Sequence, residues 1–254
     1  MPSDIANLNN IVRCTRYAFM PNRLHLCGPE NQADVLEFYS KTSRKKKTRT
    51  IEPVLEKFNT LYPYLKLIAR ANGLTNPFDE RAVEAYWLGN NYLEAVPAAR
   101  LFDHLGNVFN IQGRFNISDF FKFKKKFNTR ALPHHNFHVF SIYRRTGHIA
   151  SPHTLATMDA CRISWGLILK IKQESFIVQT KPLIADNDGK IKQADFFIER
   201  EIFNYFEGAR LIKNAMIGDF ISIHWGCACE LLTRDQANRL QKYTDLSLEF
   251  AFNL

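Results

Sequence analysis

The sequence predicts an α+β protein, with a mainly helical N-terminal domain over residues 1–157 and a small β-barrel domain with a C-terminal helix over residues 158–254. Three observations carry this reading. Apolar residues recur at helical spacing from Asn31 to about His104. Short β-rich runs bounded by turn residues follow Met158. A last polar stretch opens on Thr233 and returns to helical spacing.

In the first half, Val35, Leu36 and Tyr39 mark one helical face, and Val54, Leu55, Phe58, Leu61, Leu65 and Ile68 mark another. The run Arg44-Lys45-Lys46-Lys47-Thr48-Arg49 and the residue Pro63 are expected to interrupt that pattern. Asp79 is placed to cap a helix bearing Val83, Tyr86, Trp87 and Tyr92, because its carboxylate can accept the unpaired N–H groups of a first turn. The segment Phe137-His138-Val139-Phe140-Ser141-Ile142-Tyr143 is aromatic and β-branched over a strand's length and reads as a His-rich strand, with Gly147, Ser151 and Pro152 as loop behind it.

In the second half, Ile163 to Ile171 and Phe176 to Thr180 read as two strands around a Lys172–Ser175 turn. Asn187-Asp188-Gly189 and Ile217-Gly218-Asp219 are further turns, the second feeding the alternating run Phe220 to His224. Thr233 caps the final helix, whose buried stripe is Ala237, Leu240, Tyr243 and Leu246.

Composition narrows the function classes. With 46% apolar and 23% charged residues the chain is globular, and it has no run of roughly 18 apolar residues to span a bilayer. The start Met1-Pro2-Ser3-Asp4 lacks the basic and apolar regions of a secretory signal, so a cytoplasmic protein without a membrane partner is expected. Five unevenly spaced cysteines do not make a disulfide framework; each is core filler or a reactive or ligating thiol. Positions 158–254 hold 12 Lys and Arg against 13 Asp and Glu, so of the formal +9 the first 157 residues carry +10. The domain that could read single-stranded nucleic acid thus carries −1 and the basic residues lie elsewhere, which argues against a nucleic-acid binder. The basic runs, the second being Lys122-Phe123-Lys124-Lys125-Lys126-Phe127, read as solvated faces or as a dock for an acidic partner.

Soft metal-ligand types collect at strand ends and turns: Cys27, Cys161, His224, Cys227 and Cys229, with His134, His135 and His138 in one short segment. Cys227-Ala228-Cys229 lacks a second matching pair, so structural zinc is not supported. His134-His135-Asn136-Phe137-His138 lacks the Glu of a metalloprotease helix, and packing or hydrogen bonding competes evenly with ligation there. No Gly-x-Ser-x-Gly elbow is present, while Cys27 sits at a Leu26-Cys27-Gly28-Pro29 turn where packing explains a thiol less easily.

Two C-terminal segments resemble the HypC/HupF-type chaperones of nickel-iron hydrogenase maturation. Cys161-Arg162-Ile163-Ser164-Trp165-Gly166 leading into Leu167-Ile168-Leu169-Lys170-Ile171 is similar to the opening Cys and first strand of that family. Ile217-Gly218-Asp219-Phe220-Ile221-Ser222-Ile223-His224-Trp225-Gly226-Cys227-Ala228 resembles its Val-Gly-Asp-Tyr-Val-x-Val-His-x-Gly-Phe-Ala. The resemblance implies an OB-like barrel, an iron atom carried as an Fe(CN)2CO fragment, Cys161 as thiolate ligand and His224 as imidazole ligand. It also implies a hydrogenase large-subunit precursor or another maturation protein as partner. His134, His135, His138, Cys27, Cys227 and Cys229 are further candidate ligands. The pattern departs from the family where Cys161 is internal rather than next to an initiator Met, where Trp165 replaces Pro, and where Gly189 to Asn214 is longer. The segments Arg16-Tyr17-Ala18-Phe19 and Leu132-Pro133-His134-His135-Asn136-Phe137-His138 resemble uncharacterised bacterial proteins carrying the same barrel, which supplies no activity. A metal-dependent, iron-using enzyme with the same Cys/His site is the alternative function.

Overall fold

The computed structural model describes residues 10–40, 51–114, 116–142 and 153–253. Both expected textures are there: helices first, then strands, then a helix. The basic run at 44–49 and the loop residues Gly147, Ser151 and Pro152 lie outside the described residues.

The helical part comprises α1 (Asn10–Arg23), α2 (Ala33–Ser40), α3 (Glu52–Glu56), α4 (Leu61–Ala71), α5 (Glu80–Trp87), α6 (Ala98–Phe109), α7 (Ile117–Arg130), α8 (His135–Phe137) and α9 (Leu155–Cys161). Helix α5 starts as the sequence indicates, with the Asp79 carboxylate accepting the Arg81 N–H at 3.0 Å. Pro63 does not interrupt α4. It falls in the first turn, where a missing N–H costs no helical hydrogen bond.

Of the segment expected as a strand over Phe137–Tyr143, the described residues Phe137–Ile142 are instead helical, and Tyr143 lies outside the described residues. Helix α8 opens on His134, whose Nδ1 accepts the Asn136 N–H at 3.1 Å, and it runs into a π-helical turn over His138–Ile142. Every residue from His134 to Ile142 is buried, so no polar face remains to reveal the period. A short apolar run buried on all sides carries no signal that separates helix from strand.

Five strands close into a barrel in the order β1-β2-β5-β9-β8: β1 (Ser164–Ile171), β2 (Ser175–Thr180), β5 (Ile198–Phe203), β8 (Phe220–His224) and β9 (Cys227–Leu232). Neighbours are antiparallel except β5 and β9, which meet in parallel at Phe203 and Cys227. The small hairpins β3 (Leu183–Ala185) with β4 (Ile191–Gln193), and β6 (Tyr205–Phe206) with β7 (Ala209–Arg210), stand outside that sheet. The Lys172–Ser175 and Asn187–Gly189 turns fall where the sequence puts them, Gly189 with φ 76°.

Helix α10 (Arg234–Leu248) opens on a capping box in which the Thr233 hydroxyl accepts the Gln236 N–H and the Gln236 side chain accepts the Thr233 N–H. Ala237, Leu240 and Tyr243 are buried and Leu246 is half-buried. One hydrophobic core runs across position 157, joining Tyr17, Trp87 and Phe137 to Ile163, Ile221 and Leu240. The barrel and the helices therefore bury their apolar faces against each other, and side chains from both can meet in one site.

Candidate metal centre

Strand alternation sets the orientation of His224. Ile221 and Ile223 are buried on one face of β8, while Ser222 and His224 project from the other, which α1 covers. The Tyr17 hydroxyl lies 2.7 Å from Ser222 Oγ and donates to Glu230 Oε1 at 2.9 Å. Glu230 Oε2 is paired at 2.9 Å with Arg13, one turn earlier on α1, and both side chains are 4% exposed. This buried network locks α1 onto the barrel. It places the Tyr17 carbonyl 2.7 Å from His224 Nδ1. A carbonyl can only accept, so Nδ1 carries the proton and Nε2 presents a lone pair. That Nε2 is buried and makes no well-formed hydrogen bond among the described residues, with the Cys161 carbonyl close by.

Cys161 reaches the same place from the end of α9. The buried Asp159 carboxylate accepts from Arg162 Nε at 2.9 Å and from Arg200 at 2.8 Å, and Arg162 also donates to the Lys181 carbonyl. These bonds hold the residues on both sides of Cys161 to the barrel. The β8–β9 turn is tied to α9 as well, through the Trp225 N–H donating to the Ala160 carbonyl at 2.7 Å. Trp225 and Gly226 both have positive φ, 51° and 70°, as a two-residue turn of this hand requires. Tryptophan is an uncommon occupant of that conformation, and its ring lines the site.

His135 is positioned by its neighbour. Asn136 accepts the Ile163 N–H at 2.7 Å and donates to the Ile163 carbonyl at 2.9 Å and to Thr244 at 2.8 Å, so α8 is pinned to the entry of β1, two residues past Cys161. His135 Nε2 then lies 3.0 Å from the Cys161 carbonyl and Nδ1 lies 3.1 Å from the Tyr86 hydroxyl. The result is a triad: one ligating atom each of His135, Cys161 and His224 lies within 4.8 Å of the other two. The two imidazoles meet edge to face at 5.1 Å, and Trp87 packs on both.

Electrostatics favour neutral imidazoles here. Burial lowers the His224 pKa to about 4. Burial, reinforced by repulsion from His224, holds His135 well below its ordinary value. Neutral nitrogen is the form that binds a metal.

The triad borders an apolar cavity of about 50 Å³, whose wall also includes Cys27, His138 and His153. Gly28 makes the Cys27 turn possible, since its φ is 86° and a Cβ there would fall 2.2 Å from the Phe58 ring. The remaining candidates are not in the triad. His138 turns Nδ1 toward the Tyr64 hydroxyl at 3.1 Å. His134 caps α8 and stacks on Tyr243 with ring centroids 5.9 Å apart. Cys227 and Cys229 are fully buried in β9; burial pushes the Cys227 thiol up to about 12 and also raises that of Cys229. Sequence reasoning reads Tyr86 and Trp87 only as the apolar face of a helix and does not single out His153; all three enter the wall from distant segments with no local motif to mark them as site residues.

The donor set has a definite chemistry. One thiolate and two imidazoles with no carboxylate suit a borderline or soft transition metal rather than a hard cation. Buried His224 Nε2, which makes no well-formed hydrogen bond among the described residues, fits such an ion. No helix among the described residues is long and apolar enough to cross a membrane. No curated protein and no solved structure matches the chain. A family model does match, over residues 10–253, and covers both the helices and the barrel, so the chain belongs to the family of unknown function DUF6390.

Proposed function

We propose that this protein is a metal-centre assembly factor of the hydrogenase-maturation kind. It takes up an iron atom bearing cyanide and carbon monoxide through the Cys161 thiolate and His224 Nε2. It passes that cargo to a hydrogenase large-subunit precursor or to another maturation protein, a role that would place it in the cytoplasm. One observation carries the reading. Cys161 and His224, which the resemblance to HypC/HupF-type chaperones selects, come from well-separated segments and have ligating atoms within 4.8 Å.

Three features support it. The five-strand barrel with its capped helix is compatible with the OB-like architecture that the resemblance implies. A soft thiolate beside a neutral imidazole suits low-spin iron, and two protein ligands leave positions free for diatomic ligands and for handover. The apolar cavity beside them offers such small ligands a dry wall.

The test is anaerobic purification of the full chain from a host with active hydrogenase maturation, with iron analysis and infrared spectroscopy of wild type and Cys161→Ala. The reading predicts iron with cyanide and carbonyl bands in the wild type and their loss in the variant. Metal-free wild-type protein, or bands indifferent to Cys161, would overturn it. Product formed many times over without any partner would mark an enzyme instead.

A further inference from the structure

His135 has a hydrogen-bond arrangement that can serve two states of the site. The Cys161 carbonyl only accepts, so the His135 Nε2 at 3.0 Å carries the proton, and Nδ1 accepts the Tyr86 O–H at 3.1 Å. In this state His135 is a latch on the backbone of Cys161. A phenolic hydroxyl can accept as readily as it donates. If Tyr86 turns its O–H away, its oxygen can take a proton on Nδ1, and Nε2 is left with a lone pair. The imidazole loses one proton at Nε2, gains one at Nδ1 and stays neutral. Nε2 then carries a free electron pair and, swung off the Cys161 carbonyl it faces at 3.0 Å, can turn it to a metal, since a ring nitrogen of His135 already lies within 4.8 Å of the ligating atoms of Cys161 and His224.

We propose that His135 is a third metal ligand, contributed by the helical half of the chain, and that Tyr86 selects its metal-binding tautomer. The donor set takes a borderline divalent transition metal, for which zinc and cobalt serve as probes. His224 needs no change of tautomer, because its Nδ1–H is held by the Tyr17 carbonyl and its Nε2 makes no well-formed hydrogen bond among the described residues. Cys161 loses its proton to solvent as the metal–sulfur bond forms. Three protein ligands leave a fourth position, and all three residues line the same cavity, so that position opens onto it. A metal ligand whose second ring nitrogen meets a hydroxyl or carbonyl is the arrangement that orients the imidazole and raises its basicity. The inference rests on Cys161 and His224 as ligands, as above, and is independent of any diatomic cargo.

Cobalt(II) reports coordination in its visible bands and thiolate ligation in a near-ultraviolet charge-transfer band. The full chain, reduced, metal-free and anaerobic, is titrated with cobalt(II) as wild type, Cys161→Ser, His135→Gln, Tyr86→Phe and Cys227→Ala. Expected are intense visible bands in the wild type and loss of the thiolate band in Cys161→Ser. His135→Gln should weaken binding on the order of 100-fold with dimmed, shifted bands, and Tyr86→Phe by about 10-fold with the thiolate band kept. Cys227→Ala should bind as wild type does. An unchanged affinity and spectrum in His135→Gln, with the thiolate band present, would overturn the third ligand alone. Absence of a thiolate band in the wild type would overturn Cys161 as a ligand and this inference with it. The wild type also tests the tautomer without any variant: nitrogen-15 spectra should place the His135 proton on Nε2 before zinc(II) is added and on Nδ1 after. A proton that stays on Nε2 in the zinc-loaded protein would overturn the proposal.

Discussion

The carbonyl oxygen of Tyr17 lies 2.7 Å from His224 Nδ1, and this one contact decides which nitrogen of His224 faces the cavity. Its precision comes from farther away, because Tyr17 is held by its hydroxyl to Glu230 and Ser222.

Tyr17→Phe should therefore destabilise the protein by about 1–3 kcal/mol, the cost of leaving a buried carboxylate short of a donor. Urea unfolding of both proteins measures this. A loss near zero would mean that the hydroxyl does not help hold α1 on the barrel.

The pair Arg13–Glu230 is buried on both sides. Glu230→Gln should cost about 3–5 kcal/mol, since it leaves a guanidinium uncompensated in the interior. Replacing both partners by apolar residues, Arg13→Met with Glu230→Leu, should recover much of that loss. A double variant no more stable than Glu230→Gln would contradict the assignment of the cost to an unpaired charge.

Asn136→Ala removes the bonds to Ile163 and Thr244 that pin α8 beside β1. A stability loss of about 2–4 kcal/mol is expected from two or three buried bonds. Cobalt(II) affinity should fall with it, because His135 moves with α8. Wild-type affinity in a destabilised but folded Asn136→Ala would separate α8 from the metal site.

Buried histidines make the metal-free protein acid-sensitive. His134 and His224 titrate at about 3 and about 4 when folded, against 6.5 when exposed, and His135 is lowered as well. The unfolded chain therefore binds more protons below pH 6.5. Stability is fully present above that value and is lost as pH falls toward 4, by about 1.4 kcal/mol per pH unit for each such histidine. His134→Asn keeps an oxygen to cap α8 while removing one titrating group. Urea unfolding at pH 7.5, 6 and 5 should show a shallower slope for that variant by about one proton. Equal slopes would refute the assignment.

Three of the barrel's five strands, β1, β2 and β8, were legible in the sequence because short β-rich runs there are bounded by polar or glycine turns, whereas β5 and β9 were not, β9 being buried at nearly every position and so showing no alternation. Asp79 and Thr233 marked helix starts for a similarly local reason. The segment from Phe137 to Ile142 was not legible, since its burial on every side erased the period that distinguishes the two secondary structures. Cys161 and His224 were singled out by motif, but no pattern along the chain says that Asn136 grips Ile163 and thereby brings His135 to them. Nor does a sequence show a backbone carbonyl, such as that of Tyr17, choosing a tautomer. Both depend on contacts between segments far apart in the chain.

The central claim, that Cys161 and His224 hold one metal together, is tested most directly by X-ray absorption on the zinc-loaded chain beside Cys161→Ser and His224→Ala. The account predicts one sulfur at about 2.3 Å with imidazole nitrogen at about 2.0–2.1 Å in the wild type. The sulfur should vanish in Cys161→Ser, and the imidazole contribution should diminish in His224→Ala. A sulfur shell that persists without Cys161, or a zinc environment unchanged by both substitutions, would place the metal elsewhere and contradict it.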